Sequence, residues 1–514
     1  MASREPVSSE DEVQEPLGKL QAAENSVFAS RWELLTPYFA EFWGTLVITA
    51  TFLCNVDVGH GTDPSFRSIC HAFMVVGMVS ATKHITGSSL NPSVSLALAL
   101  SGRQRMRTAG GLCIAQMLGA ITAVAVCFKA GIAKDLVLGP LAGHNWFQVA
   151  VLETLYAAMM CSVYLNCAAS KRNNPKGDQN GFVGLAYGLC YLASHNASTG
   201  VCSTVSNSAV ALGLIVMGKS GSVTVSQGIG YFSYDLLGAF LAAGAYRVVR
   251  PQEFRSNLAV VEESLQESAL LAAEFMGTFF VVLTQVCTKM TRLNQNNMGP
   301  QAFGTAAAVI SMVYALRDVS GAHFNPAVTI AVRCSGRTPE EVTSGGDVTN
   351  VRFGVFYTIA QVLGGMLAAA LAGVVHSGGK FDAQPSDKEA TAGQLLVAEA
   401  FGTFFLCYVV LGSCVTFPVD GARSKQNNVA GLAYGSVVLS ITLTVGNISG
   451  ALLNPSAAVA AAMLGAMSSR ASVIVFWFYH ASAAVAAAAA FLLTHAQLYA
   501  KDARDADDEN RLSI

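Results

Sequence analysis

Four times in this sequence a glutamate inside an apolar stretch is followed, some fifty residues later, by an asparagine that opens a shorter apolar stretch. The glutamates are Glu41, Glu153, Glu274 and Glu399, and the asparagines are Asn91, Asn207, Asn325 and Asn454. The separations are 50, 54, 51 and 55 residues, alternating short and long. Three of the glutamates stand in similar words: Ala40-Glu41-Phe42-Trp43-Gly44-Thr45, Ala273-Glu274-Phe275-Met276-Gly277-Thr278 and Ala398-Glu399-Ala400-Phe401-Gly402-Thr403. A repeat of nearly constant spacing makes each copy one structural unit, and this constrains the fold before any local propensity does.

The solvent of these units is lipid. Charged residues are 12% of the 514, about half the share usual in soluble proteins, and hydrophobic residues are 52%. A bilayer core about 30 Å thick needs roughly 20 apolar residues per helix. Twelve such stretches are predicted, near 36–55, 68–86, 108–131, 146–168, 181–199, 222–246, 269–288, 302–321, 353–375, 393–413, 429–448 and 472–498. After spans two, five, eight and eleven come Asn91 to Leu100, Asn207 to Met217, Asn325 to Val332 and Asn454 to Leu464. Segments of that length are too short to cross. Irregular backbone at membrane depth persists only where protein or a water-filled cavity satisfies it, so these half-helices point to a lined conduit.

Each repeat is three spans plus a half-helix, and an odd number of spans inserts consecutive repeats upside down. Two half-helices then enter from opposite faces and meet near the midplane with their asparagines at the tips. The motifs are Asn91-Pro92-Ser93, Asn207-Ser208-Ala209, Asn325-Pro326-Ala327 and Asn454-Pro455-Ser456. Asparagine caps a helix through its side-chain oxygen, proline next to it lacks only a donor that would be orphaned, and the dipole makes the tip positive. The amide donors are left to face a lumen.

The predicted organisation is a tail (1–35), a first unit (36–248), a polar linker (249–268), a second unit (269–499) and a tail (500–514). With six spans on each side of the linker, both units have the same orientation. Fourteen basic residues fall in the connections on the side of the termini and nine on the other, which predicts cytoplasmic termini and leaves the identity of the membrane open. The first 30 residues have no basic flank followed by an apolar run, so no cleaved leader is expected. A net charge of -2 gives no footprint for nucleic acid, and no cysteine or histidine spacing suggests a metal or cofactor.

With these motifs the sequence resembles the aquaporin and aquaglyceroporin family, twice in tandem, over roughly Thr36 to Tyr246 and Ala269 to Tyr499. The resemblance implies an all-α membrane protein of two fused six-helix bundles, with 12 transmembrane helices and 4 re-entrant half-helices. It implies that the four glutamates brace the re-entrant loops by accepting backbone hydrogen bonds; a proton relay is the other reading of an intramembrane acid. It further implies a tetramer of units, hence a homodimer forming a pseudo-tetramer. The family's constriction normally carries an arginine directly after the second motif, where this chain has Val210 and Ala457, with no basic residue expected nearby to replace it. The other constriction positions carried over are His71, His195 and Val205 in the first unit and Thr305, Thr442 and Leu452 in the second. His71 and His195 also read as satisfied interior histidines. Asp235 and His480 match in spans six and twelve, each after a tyrosine, and read as interfacial. Asn196 and Asn447 begin glycosylation-like triplets and are expected to be unmodified.

The expected function is passive, cofactor-free, non-enzymatic conduction of water and small uncharged solutes (glycerol, urea, ammonia), one pore per unit, with the second pore the wider. A twelve-span secondary transporter and an adhesion or scaffold protein with vestigial pores are the rival readings.

Overall fold

The computed structural model describes residues 31–57, 64–133, 136, 138–174, 181–217, 224–254, 263–291, 297–336, 351–376, 391–415, 429–465 and 470–497. Among them are twelve long helices and four short ones, and no strand beyond one isolated bridge, Pro140 to Cys202. The first unit contains α1 (Arg31–Asp57), α2 (Pro64–Thr86), the half-helix α3 (Pro92–Leu100), α4 (Met106–Ala130), α5 (Trp146–Tyr164), α6 (Val183–Ser198), the half-helix α7 (Ser208–Met217) and α8 (Val225–Val249). The second repeats the order: α9 (Glu263–Met290), α10 (Met298–Ser320), α11 (Pro326–Ser335), α12 (Val351–Val375), α13 (Ala392–Val410), α14 (Ala430–Ser449), α15 (Pro455–Met463) and α16 (Arg470–Thr494). Helices α5 and α13 each end in a π turn, Leu165–Ala169 and Leu411–Val415, so even this irregularity is repeated.

Eight of the long helices are by themselves long and apolar enough to cross a membrane. The other four, α1, α2, α6 and α8, all belong to the first unit; α6 is only 16 residues long, and polar side chains interrupt α2 at His71 and α8 at Asp235 and Arg247. Helix α9 starts at Glu263, inside the stretch expected to be linker, and Pro251–Glu253 form a 3-10 turn directly after α8. The linker is therefore shorter than its polar composition suggested.

Within each unit α1 lies along α4, α2 along α6 and α5 along α8, and the same three pairings recur between α9 and α12, α10 and α14, and α13 and α16. Small residues set these close approaches. A Cβ on Gly188 would come 2.7 Å from the Ala72 carbonyl oxygen, and one on Gly364 2.5 Å from that of Phe275. The units meet through α5, α6 and α8 of the first and α9, α10 and α12 of the second. Tyr156 Oη shares a 3.0 Å hydrogen bond with Thr284 Oγ1, Asn196 Nδ2 donates to the Pro300 carbonyl at 3.2 Å, and Ser311 Oγ donates to the Ala186 carbonyl at 2.8 Å. Asn196 is thus buried between units near the end of α6, while Asn447 is exposed near the end of α14.

Below this seam lies a buried charge cluster. Arg250, directly after α8, has its guanidinium on the Asp318 carboxylate of α10 in bidentate fashion, at 2.6 and 2.8 Å. Its Nε donates to Asn166 Oδ1 at 2.6 Å and Nη2 to the Ala315 carbonyl at 3.2 Å. Glu253 accepts from Arg103, from Tyr246 Oη and from Ser170 Oγ. Burial works against the arginine's charge, and the Asp318 carboxylate outweighs it, holding the group above its ordinary range.

Candidate functional site

The geometry of the site begins with backbone strain. The residue before each asparagine is left-handed: Leu90, Ser206, Phe324 and Leu453 have φ of 48°, 52°, 50° and 52°. Such residues cost free energy and leave amides pointing away from any helix, so something must hold them. The four glutamates do. Glu41 accepts from the amides of Ser89 and Leu90 at 3.1 and 2.8 Å, Glu153 from Val205 and Ser206 at 3.1 and 3.0 Å, Glu274 from His323 and Phe324 at 2.9 and 2.7 Å, and Glu399 from Leu452 and Leu453 at 2.9 and 2.8 Å. All four are fully buried. Gln116 and Gln361 back two of them at 2.7 and 2.8 Å.

Three residues past the glutamate, the sequence adapts to what precedes the asparagine. Gly44, Gly277 and Gly402 make room for Leu90, Phe324 and Leu453; a Cβ would approach their side chains to 2.5, 2.0 and 2.5 Å. In the second repeat Ser206 is small, and the glycine's place is taken by Tyr156, the residue that reaches across to Thr284.

Each asparagine caps its half-helix, with Ser93, Ala209, Ala327 and Ser456 amides donating to Oδ1 at 2.9–3.0 Å. The amide nitrogen is not wholly free as expected. Asn91 Nδ2 donates to the Ser206 carbonyl at 3.0 Å and Asn207 Nδ2 to Leu90 at 2.9 Å; in the second unit Asn325 donates to Leu453 at 2.8 Å and Asn454 to Phe324 at 2.9 Å. Each tip is stitched to the opposite loop, leaving one N–H per asparagine. In the first unit Ser208, which replaces the proline, shares a 2.9 Å hydrogen bond with Ser93 and so ties the two half-helix starts together.

Above the asparagines the units part. In the first, His71 Nδ1 and His195 Nε2 are 3.0 Å apart, so the two histidines singled out from the sequence do face each other. Two rings that sequence reasoning missed pack on them. Phe52 lies 5.5 and 6.0 Å from their centroids, and Tyr191 5.1 and 6.4 Å. The Tyr191 hydroxyl meets that of Tyr187 at 3.2 Å and faces the side chains of Asn91 and Asn207. A cavity of about 320 Å³ opens beyond the histidines and reaches no further inward than them; Val205 and Val210 are buried and do not line it. Arg67 lines this mouth, one turn before His71.

The matching places in the second unit hold Gln285 for Phe52, Thr305 for His71, Val438 for Tyr191 and Thr442 for His195. Thr305 Oγ1 is buried without a protein partner. Gln285 turns to the loop, donating to the Ala451 and Leu452 carbonyls at 3.0 and 3.2 Å, while Ala457 is fully buried at the start of α15. Tyr434, the counterpart of Tyr187, donates to the His323 carbonyl at 2.8 Å just as Tyr187 donates to Ser89 at 3.1 Å. The scaffold is therefore shared and the throat is not.

Asp235 and His480 are not interfacial. Both are fully buried against the glutamate-bearing helices. His480 Nδ1 shares a 2.7 Å hydrogen bond with Thr403 and its Nε2 lies 3.7 Å from Glu399, whereas neither carboxylate oxygen of Asp235 has a partner. Helix turns at α8 and α16 carry these positions inward.

Comparison with known families decides the reading of this geometry. The model of the major intrinsic protein family matches residues 28–217, 182–300, 262–412 and 386–512. The chain belongs to the major intrinsic protein family. Among its relatives, rice Aquaporin NIP1-1 is 35% identical over 201 residues, 38% of this chain and 64% of that protein. Aquaporin NIP1-1 of Arabidopsis thaliana is 29% identical over 224 residues, 42% of this chain and 70% of its own length. Probable aquaporin AqpM of Archaeoglobus fulgidus is 32% identical over 211 residues, 36% and 78% of the two. The matched stretch thus spans less than two thirds of the rice protein, and each relative accounts for about one unit of this chain. The protein is a multi-pass integral membrane protein of two fused all-α bundles of this family. Among the described residues no cluster of metal-ligating side chains is present.

Proposed function

We propose that the protein is a passive channel for water and small uncharged solutes, with one conduit per unit and the second the more permissive. The observation that carries this reading is the fate of the last asparagine N–H. In the first unit the Tyr191 hydroxyl stands before Asn91 and Asn207, whereas in the second the aliphatic Val438 leaves Asn325 and Asn454 free to donate to molecules passing in single file. The opposed half-helix dipoles raise the barrier to cations at the same level. Thr305, Thr442, Leu452 and Ala457 bound the second constriction and admit glycerol or urea; the narrower first path, by His71, His195, Val205 and Val210, is confined to water or ammonia.

Exposed apolar residues on α1 and α2 (Phe39, Trp43, Phe73) and on α13 and α14 (Phe401, Phe405, Leu443) suit lipid and a second chain, giving a homodimer with four units in a ring. In this reading both termini face the cytoplasm, which the excess of basic residues in the connections on their side supports. The test is light scattering on proteoliposomes carrying the full chain. Ala457→Trp removes most glycerol and urea flux, and Val210→Trp affects water or ammonia only. Solute flux abolished by Val210→Trp and untouched by Ala457→Trp contradicts the assignment; saturable, ion-coupled flux supports a transporter instead.

A further inference from the structure

The repeat places one more side chain opposite each bracing glutamate. The third long helix of every repeat carries a polar residue three positions before a small one: Gln116 and Gly119 on α4, Asp235 and Gly238 on α8, Gln361 and Gly364 on α12, His480 and Ala483 on α16. Contact fixes this register. A Cβ on Gly119, Gly238 or Gly364 would come 2.2, 2.7 or 2.5 Å from the carbonyl oxygen of Phe42, Thr154 or Phe275, in each case the residue after the glutamate. Three of the four opposing residues turn a nitrogen to that glutamate. Gln116 Nε2 lies 2.7 Å from Glu41, Gln361 Nε2 2.8 Å from Glu274 and His480 Nε2 3.7 Å from Glu399. The fourth is Asp235, which has no nitrogen to offer Glu153; its side chain is fully buried and neither of its oxygens has a protein partner.

Glu153 differs from the other braces on its loop side too. Five residues before the asparagine, the hydroxyls of Thr86, Ser320 and Ser449 donate to Glu41, Glu274 and Glu399 at 2.7, 2.6 and 2.6 Å. Cys202 stands at that place in the second repeat, and Glu153 is left with the Val205 and Ser206 amides and the Thr204 side chain. The titratable groups that face Asp235 are Glu153 and Cys161 of α5, Tyr191 of α6 and Tyr231 of α8 itself; among the described residues no lysine, arginine or histidine joins them. The half-helices α3 and α7, also packed on α8, carry no titratable side chain, and α9 and the turns after α5 and α8 bring none to it.

Two carboxyl groups that face each other away from water, with no cation between them, do not both ionise. We infer that Asp235 and Glu153 together bind one proton at neutral pH, and that Asp235 is a positioning residue acting through Glu153 on the loop that ends at Asn207. The acid hydrogen does for Glu153 what the Gln116 and Gln361 amides do for Glu41 and Glu274. The proton belongs to the pair rather than to either residue. Its loss sets two buried negative charges against each other where α5 meets α8 and weakens the hold on the Val205 and Ser206 amides. The second unit, with His480 opposite Glu399, has no such site. Above about 4, the ordinary carboxylate value, the unfolded chain has released the proton that the folded pair still holds, so stability falls as pH rises until the pair releases it too.

The test is a melting series on the full chain from about pH 6.5 to 9, with Asp235→Asn beside it, since asparagine keeps the shape and the donor and binds no proton. The unmodified chain is expected to lose up to about tenfold in its folding constant per pH unit while the pair holds its proton, and Asp235→Asn to remove that slope. Equal slopes in the two proteins overturn the proton. Stability that ignores pH and rises with sodium chloride puts a metal ion between the acids and overturns it as well. Infrared spectra at neutral pH give a reading that needs no unfolding: a carboxylic-acid carbonyl band present in the unmodified chain and missing from Asp235→Asn supports the pair, and identical bands overturn it. The positioning role is read as water flux in an Ala457→Trp background, expected to fall in alkali and to be restored by Asp235→Asn. Flux that is present and indifferent to alkali overturns that role. This arm alone rests on the channel reading, and absence of flux at every pH beside a positive melting series faults that reading and not the proton pair.

Discussion

The two units are built from the same braces and caps yet differ where a permeant molecule would have to squeeze. Loop anchoring is nearly superimposable in kind: a buried carboxylate takes two amides in every repeat, and a tyrosine, Tyr187 or Tyr434, holds the carbonyl next to it. The throats have diverged to opposite extremes. Four aromatic rings, Phe52, His71, Tyr191 and His195, pack together in the first, and Gln285, Thr305, Val438 and Thr442 stand in their places in the second. The lesson is that the demands of the membrane on backbone fix one set of residues tightly, while the lumen, which has no such constraint, is free to vary between units of a single chain.

The sharpest way to break that contrast is to attack what is common. Replacing Glu274 by Ala orphans the His323 and Phe324 amides, the Ser320 hydroxyl proton and one of the two Gln361 side-chain N–H groups together, the other staying on Thr329. Each unmet buried group costs about 1–3 kcal/mol, so the expected outcome is little or no folded protein by fluorescence-detected size exclusion. Glu399→Ala follows it, and a folded variant with merely altered selectivity would mean the carboxylates serve the lumen.

Next in size is exchange of the throats. Val438→Tyr is expected to lower glycerol and urea flux on the order of tenfold, since a phenol would occupy the free donors of Asn325 and Asn454. Tyr191→Val in an Ala457→Trp background should raise water flux through the first unit several-fold. Unchanged rates in both would show that the narrowing lies elsewhere.

Smaller effects come from the matched buried pair. Asp235→Asn removes a carboxylate with no partner and is expected to raise the thermal midpoint by a few degrees, whereas His480→Ala strands Thr403 and lowers it. Opposite signs at one repeat position would sharpen the comparison; equal signs would dissolve it. The mildest prediction concerns His376, just past α12 and beside His144 of the other unit. Burial, with His144 adding to it, holds His376 down at about 4, against an ordinary value of 6.5. The unfolded chain then binds the proton first, so stability is present above pH 6.5 and is lost as pH falls from 6.5 toward 4. His376→Gln should flatten that slope in a melting series; an unchanged slope would assign it to another group.

What could be read in the sequence was whatever the repeat wrote several times. The asparagine tips, the glutamates and the six-plus-six arrangement each recur, and helix ends fell within a few residues of expectation because caps such as Asn91, Asn325 and Asn454 announce themselves. Tyr191 was not found, although it lies one turn before His195 and its counterpart is Val438; the signal was a difference between copies, and likeness was what the repeat advertised. Arg250 falls in the stretch expected to be polar linker (249–268), and nothing local marks it as buried because its partner, Asp318, lies 68 residues further on, in another unit. Asp235 and His480 were misplaced because an adjacent tyrosine suggested an interface, and only the rotation of α8 and α16 decides which way such a residue points.

The position of Arg250 also bears on how the molecule comes to exist. It leaves the ribosome with the last turn of the first bundle, well before the helix that holds its carboxylate. Until α10 has entered the bilayer, the first bundle carries a cation with its principal acceptor not yet made. Completion of the first unit is thereby tied to the insertion of the second: truncation anywhere between Phe254 and Asp318 would leave Arg250 with Asn166 and the more distant Glu253, 3.8 Å away, and without its bidentate partner.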